Sequence, residues 1–313
     1  MKNQFLLLIA LAFTISTANS QDKKICVTID DLPVVTYGIN NIKFQQELTE
    51  NLIRTFDKFE IPAIGYVNES KLYKDGHLDS ARVNLLIEWV KNGYELGNHT
   101  YSHPDYNDTP DSQYFDDILK GQQIIQPLMD KYGMELRYFR HPFLHAGENS
   151  EKFDALNEFL NANQYEVAPV TIDNDDYIFA KAYHNAYVEK DKSLMKKIGK
   201  EYVEYMEQKL HFFEQRSNDV FGRNIIHSLL IHASFLNAEY LDELAAMYKK
   251  NGYTFVSQEE ALRDEAYSTH ISFYTEYGLS WIFRWGISMG LANKDLRNGD
   301  IEVPGFVMEV FNR

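Results

Sequence analysis

Five short stretches carry residue types that could do chemistry, and their order along the chain matters. Thr28, Ile29, Asp30 and Asp31 close an apolar run with two adjacent carboxylates. Neighbouring side chains on a strand point in different directions. One carboxylate can then bind a cation while the other handles a proton. His99 and His103 stand four apart, with Pro104 after them. At that spacing they share one face of a helical turn and can converge on one ion. Arg140, His141, Pro142 and Phe143 follow; an arginine here can fork onto a carboxylate and hold it ionised. Asp173, Asn174, Asp175, Asp176 and Tyr177 make a polar cluster. Leu230, Ile231 and His232 end an apolar run with one imidazole.

Singly, each has an ordinary explanation. Asp-Asp ahead of Pro33 is turn chemistry, an arginine often makes a surface pair, and a lone histidine is often a satisfied core residue. Together they hold the parts that metal-assisted hydrolysis of an amide or ester requires. One Asp and two His leave coordination positions open for water and substrate, and a second carboxylate and a third imidazole stand by for proton transfer.

The elements that must position these groups alternate. Strands are expected at 24–29, 63–67, 94–96, from 138, at 167–172, 225–231 and 254–256. Helices are expected at 44–59 (Phe44, Leu48, Leu52, Phe56 and Phe59 at helical spacing), from an N-cap at Ser80 to Val90, and at 112–132, 153–161 and 240–251, with Ser257 capping one more. This βα order implies a parallel sheet, open or closed into a barrel. The chemical clusters all fall at strand C-terminal ends, the edge where such folds build their sites. Residues 183–213 read as a long charged helix on the outside, and residues 264–313 as an extension rich in aromatics.

The chain has 313 residues, 44% of them hydrophobic and 25% charged, which suits a globular domain with an appendage. Its formal net charge is -15, without a basic patch. That disfavours nucleic acid and strongly anionic polymers as partners; a glycan or small molecule fits better. Lys2, the apolar run 5–15, and Ala18, Asn19 and Ser20 read as a signal peptide, residues 1–20. A secreted or periplasmic location follows. No later run is long enough for a membrane span. Cys26, the single cysteine, reads as a core residue rather than a nucleophile.

The five clusters, in this order, resemble the motifs of the polysaccharide deacetylase family, carbohydrate esterase family 4. Residues 28–31 look like its Thr-Phe-Asp-Asp pattern, 99–103 like its His-Ser/Thr-x-x-His, and 140–143 like its Arg-x-Pro-aromatic. Residues 173–177 are similar to its Asp-x-x-Asp-Trp, and 230–232 to its Leu-x-His. The resemblance covers roughly residues 24–262. It implies a distorted (β/α)7 barrel over residues 21–263, with a helical insertion at about 183–222 and residues 264–313 as a C-terminal extension. It also implies roles. Asp30 is the base, held by Arg140; Asp31, His99 and His103 bind the metal, zinc or another divalent cation; Phe143 and Tyr177 border the substrate. Asp176 orients His232, the general acid. The implied activity is removal of acetyl groups from N-acetylated amino sugars of a chitooligosaccharide or peptidoglycan type. An O-acetyl esterase on xylan and an idle carbohydrate-binding protein are the alternatives. Three departures bear on substrate: Leu32 where glycine is usual, expected beside the metal; Tyr177 in place of tryptophan; and His141 at a variable position.

Overall fold

The computed structural model describes residues 22–313. The signal peptide expected at 1–20 lies outside the described residues.

The chain runs β1 (Lys23–Val35), α1 (Ile42–Phe59), β2 (Ile64–Val67), a hairpin of β3 (Tyr73–Lys74) and β4 (His77–Leu78), α2 (Ser80–Lys91), β5 (Glu95–Asn98), α3 (Asp111–Lys120), α4 (Ile125–Lys131), β6 (Tyr138–Phe139), α5 (Ser150–Ala162) and β7 (Glu166–Val167). It continues through α6 (Asp176–Val188), α7 (Lys192–Phe221), β8 (His227–Ser234), α8 (Phe235–Lys250), β9 (Tyr253–Phe255), α9 (Gln258–Leu262), α10 (Trp281–Ser288), α11 (Asn293–Arg297) and α12 (Gly305–Phe311). The main sheet is parallel, in the order β7-β6-β5-β2-β1-β8, with β9 beside the start of β1. Past Val167 the chain leaves β6, and Ile172 bridges to Leu229 of β8, so the sheet curls back on itself. The element order implied a parallel sheet, open or closed into a barrel, and this is the distorted α/β barrel that the family resemblance implied.

Parallel strands are covered on both faces and so read as apolar runs. Ile25, Val27 and Ile29 of β1 are buried, and α1 packs Leu48, Leu52 and Phe56 into the same core. Burying each such side chain is worth about 1.5–3 kcal/mol. Cys26 is fully buried, and burial pushes its thiol up to about 12, as expected of a core residue.

β1 does not stop at the aspartates. Between Ile29, opposite Gly65, and Leu32, opposite Val67, it spends one residue more than β2. Asp31 absorbs the extra residue in a left-handed conformation, φ 71°. That bulge changes which side each residue faces. Asp30 and Asp31 both line the same cleft, against the expectation of different directions. Leu32 is carried the other way. It is fully buried, its Cδ1 sits over Gly65 with Trp89 near, and it does not line the cleft, against the expectation that it would stand beside a metal.

Other boundaries moved for identifiable reasons. The helix expected over 112–132 is two, α3 and α4, parted at Gly121, where a Cβ would lie 2.6 Å from the Thr100 carbonyl carbon. The helix from 183 begins at Asp176, and residues 189–191 divide it from α7. α7 packs one face inward, burying Tyr202, Met206, Leu210 and Phe213. The strand of 167–172 is interrupted after Val167. Asp79, not Ser80, caps α2, accepting from the Ala81 N–H at 2.9 Å. Residues 264–313 pack on the barrel: the Trp281 N–H donates to the Val170 carbonyl at 2.8 Å, the Ser280 hydroxyl donates to the Thr171 carbonyl at 2.7 Å, and α12 lies on α6.

Candidate active site

All five clusters meet at one end of the barrel, in a cleft of about 600 Å³. Asp30, Asp31, His99, His103, Phe143, Asp173, Tyr177 and His232 line it. Arg140 and Asp176 lie fully buried behind it.

Asp31 Oδ1 is 3.7 Å from His99 Nε2 and 3.6 Å from His103 Nε2, and the three ligand atoms lie within 4.8 Å of one another. Tetrahedral zinc with ligands at about 2.0–2.1 Å separates them by roughly 3.3–3.5 Å, so a small contraction would seat a cation. Two further observations fit one. Asp31 Oδ1 is buried without a hydrogen-bond partner. His99 Nδ1 lies 2.8 Å from the Arg140 carbonyl; a carbonyl only accepts, so Nδ1 carries the proton and Nε2 presents its lone pair. Burial, with His103 beside it, holds His99 well below its usual range and therefore neutral; burial lowers His103 as well. Burial opposes ionisation of Asp31, but Lys71, His103, His232 and His99 outweigh it and hold the carboxyl well below the usual range. A carboxylate and two neutral imidazoles are the protonation states that a divalent cation needs.

The histidines do not reach this arrangement on a helical turn. Residues 99–103 form a loop with Thr100 and His103 left-handed, φ 68° and 59°. Asn98 pins it, accepting from the Thr100 N–H at 2.7 Å and donating to the Ile118 carbonyl at 2.9 Å. Left-handed non-glycine residues are costly and gather where a site imposes them; Asp31, Thr100, His103, Phe143 and Leu144 are five around one cleft.

Asp30 flanks the cation position. Its Oδ2 is 3.4 Å from Arg140 Nη1, and its Oδ1 is buried without a partner. Arg140 also donates to the Thr28 hydroxyl at 3.0 Å, and its guanidinium lies 4.6 Å from the centre of the Tyr66 ring. Burial pushes Asp30 up to about 6, with Arg140 and His232 pulling the other way. On the far side, His232 Nδ1 is 2.7 Å from Asp176 Oδ1. The other Asp176 oxygen accepts from the His232 N–H at 2.8 Å and from Asn237 Nδ2 at 2.9 Å. Burial alone would lower His232, but the Asp176 carboxylate more than reverses it and lifts the imidazole to about 9. The two groups sit on neighbouring strands, Asp30 directly opposite His232 in register. The arrangement can take a proton on one side of a bound carbonyl and deliver one on the other.

Residues 17–160 match the family model for polysaccharide deacetylases. The match spans a little under half of the chain. The search of curated proteins found no match. Among solved structures, the carbohydrate esterase family 4 pseudoenzyme from Bacillus anthracis is 16% identical, with 77% of this chain and 66% of that one covered and a TM-score of 0.50. A mutant of that pseudoenzyme is 17% identical, with 77% and 68% covered and a TM-score of 0.52. A peptidoglycan deacetylase from Bacillus subtilis is 20% identical, with 77% and 92% covered and a TM-score of 0.46. The barrel is thus the fold of this family.

Several residues of the cleft had no sequence signal. Lys71 Nζ is 3.1 Å from Asp31 Oδ2 and donates to the Asp31 carbonyl at 3.0 Å. It occupies the oxygen that Oδ1 leaves spare, so Asp31 offers one atom to a cation. Asn237 holds Asp176; Ser234, an N-cap signal after His232, is the one local hint of it. Tyr37 reaches over the rim to donate to the Tyr177 carbonyl at 3.0 Å. Tyr177 itself is half-exposed at the mouth, and the Phe143 ring stands 4.5 Å from His103. His141 is buried, stacked on Trp281, with Nδ1 unpartnered.

Proposed function

We propose that this chain is an exported, divalent-metal-dependent hydrolase that removes acetyl groups from N-acetylated amino sugars of a glycan. The observation that supports the reading is that Asp30 and His232, a candidate base and a candidate acid, face each other on adjacent strands and line the same cleft as Asp31, His99 and His103.

Zinc or another divalent cation held by those three residues would polarise the acetyl carbonyl and acidify water. Asp30, steadied by Arg140, accepts the proton of the attacking water. The Phe143 N–H meets the oxyanion that develops on the carbonyl. It suits that task because the turn's other N–H groups, of Leu144 and His145, are spent on His141 and Pro142 carbonyls at 3.1 and 3.0 Å. His232, kept protonated by Asp176, donates to the leaving nitrogen. An amine leaves poorly without a proton, whereas an alkoxide needs one less. An acid lifted to about 9 therefore favours the amide reading over O-acetyl esterase. The complete set of proton-handling groups favours catalysis over mere binding of carbohydrate. Export rests on residues 1–20 alone; Gln21 at the start of the mature chain would support it.

The test is acetate release from N-acetylglucosamine oligomers, peptidoglycan fragments and acetylated xylan, before and after chelation and after zinc is returned. Release from the amino sugars, lost with chelator and restored by zinc, is expected. Release from xylan alone would select the esterase. Glycan binding by a protein that takes up no metal and releases no acetate would overturn the enzyme reading.

A further inference from the structure

Residues 264–313 have no part in the chemistry above, yet they touch the turn on which it depends. Arg284, on α10, is fully buried. Its Nη2 donates to the Leu144 carbonyl at 3.1 Å and to the Tyr277 carbonyl at 3.2 Å, and its guanidinium faces the Trp281 ring at 5.3 Å. Its Nε and Nη1 are buried without a hydrogen-bond partner. A guanidinium taken out of water with so few partners is costly to hold. Apolar packing would fill the same space more cheaply, so its position asks for a reason.

The reason lies in what it holds. Phe143 and Leu144 are consecutive left-handed residues, φ 55° and 56°. Each is disfavoured relative to ordinary backbone, and the surroundings must impose them. The turn's own two hydrogen bonds, from Leu144 and His145, close it locally. Arg284 fixes the Leu144 carbonyl from outside. Gly278 lies flat on the Phe143 carbonyl oxygen, where any Cβ would collide. The same strap is tied across the cleft rim by Asn107 Nδ2, which donates to the Glu276 carbonyl at 2.9 Å.

We propose that Arg284 and Gly278 clamp the turn at Phe143 and Leu144. Arg284 is then a positioning residue for the Phe143 N–H, and the C-terminal segment is part of the working site rather than an appendage. The proposal rests on the reading of Phe143 as the oxyanion donor.

The test uses the full-length, zinc-loaded protein as wild type, Arg284→Gln, Arg284→Lys and Gly278→Ala. Amide hydrogen exchange across residues 140–146 is read by mass spectrometry, alongside kcat, KM and zinc content. Both Arg284→Gln and Gly278→Ala speed exchange in this segment by about tenfold or more, while the segment around Asp176 and His232 keeps its protection. A donor displaced by about 1 Å lowers kcat by roughly 100-fold. KM and zinc content stay at wild-type values, and Arg284→Lys recovers part of the loss. If Arg284→Gln does not fold, Gly278→Ala decides, because it moves the turn without removing a charge. Unchanged exchange in a folded variant overturns the clamp, and faster exchange at wild-type kcat overturns its catalytic role. A wild-type protein inactive on every acetylated glycan would sink the proposed function, while the exchange arm would still decide the clamp.

Discussion

Replacing Asp176 by asparagine probes the acid with almost no change of shape. The carboxylate accepts three hydrogen bonds and carries the charge that lifts His232 to about 9. Asparagine keeps an acceptor for His232 Nδ1 but loses the charge. Burial, which lowers His232, then acts unopposed by its largest counterweight, and the imidazole falls to its ordinary 6.5 or below. That fall corresponds to about 3 kcal/mol between the two protonation states. His232 is a fifth exposed, so solvent screens little of it. The sign is direct. The acid must be protonated, so activity is present below its pKa and lost above. At pH 8 the protonated fraction drops from about 0.9 to about 0.03, a fall of roughly 30-fold. The assay is a pH profile of kcat for zinc-loaded wild type and Asp176→Asn, read by acetate release. A bound cation's charge moves every limb to lower pH, so the comparison is between the two profiles. The alkaline limb of the variant should lie about 2.5 pH units or more below that of wild type. An alkaline limb that stays in place would refute His232 as the acid held by Asp176.

Three further outcomes follow from the same geometry. Arg140→Met leaves Asp30 buried without its counter-charge, so its pKa rises above about 6 and the acidic limb of the profile moves to higher pH; the buried pair's loss also costs about 3–5 kcal/mol in urea denaturation. His103→Ala removes one of three ligands, and affinity for zinc, measured by chelator competition, falls by more than about 100-fold, more than loss of an outer partner would cost. Leu32→Ala empties a core position under Gly65 and Trp89, lowering stability by about 2–5 kcal/mol with zinc content unchanged; a change in zinc affinity at unchanged stability would return Leu32 to the metal.

Much of the site was legible because chemistry restricts residue type. Few side chains can ligate a cation or carry a proton near neutral pH, and these clustered at the ends of apolar runs. Direction was harder to read. A period-2 pattern assigns alternate residues to opposite faces, and one extra residue in β1 reversed that assignment for Asp31 and Leu32. His99 and His103 had helical spacing, but the loop between them is set by Asn98 and by a helix break at Gly121, some twenty residues on. Lys71 and Arg284 gave no local signal, since each acts through a contact made only when distant segments meet. The order of the barrel was plain from the alternation of elements. Its closure, through a single bridge at Ile172, was not.

The register of β1 and β8 has a consequence for how such a protein can change. Asp30 and His232 are cross-strand partners, so their spacing is a property of the sheet, about 4.8 Å between neighbouring backbones. No loop mutation can lengthen it, and a slip of either strand would turn one of the pair into the core. Diversification toward new substrates is therefore confined to the rim, to residues such as Tyr37, Tyr177 and the strap around Gly278. Directed libraries seeking a new substrate should be drawn there, with the two strands left untouched.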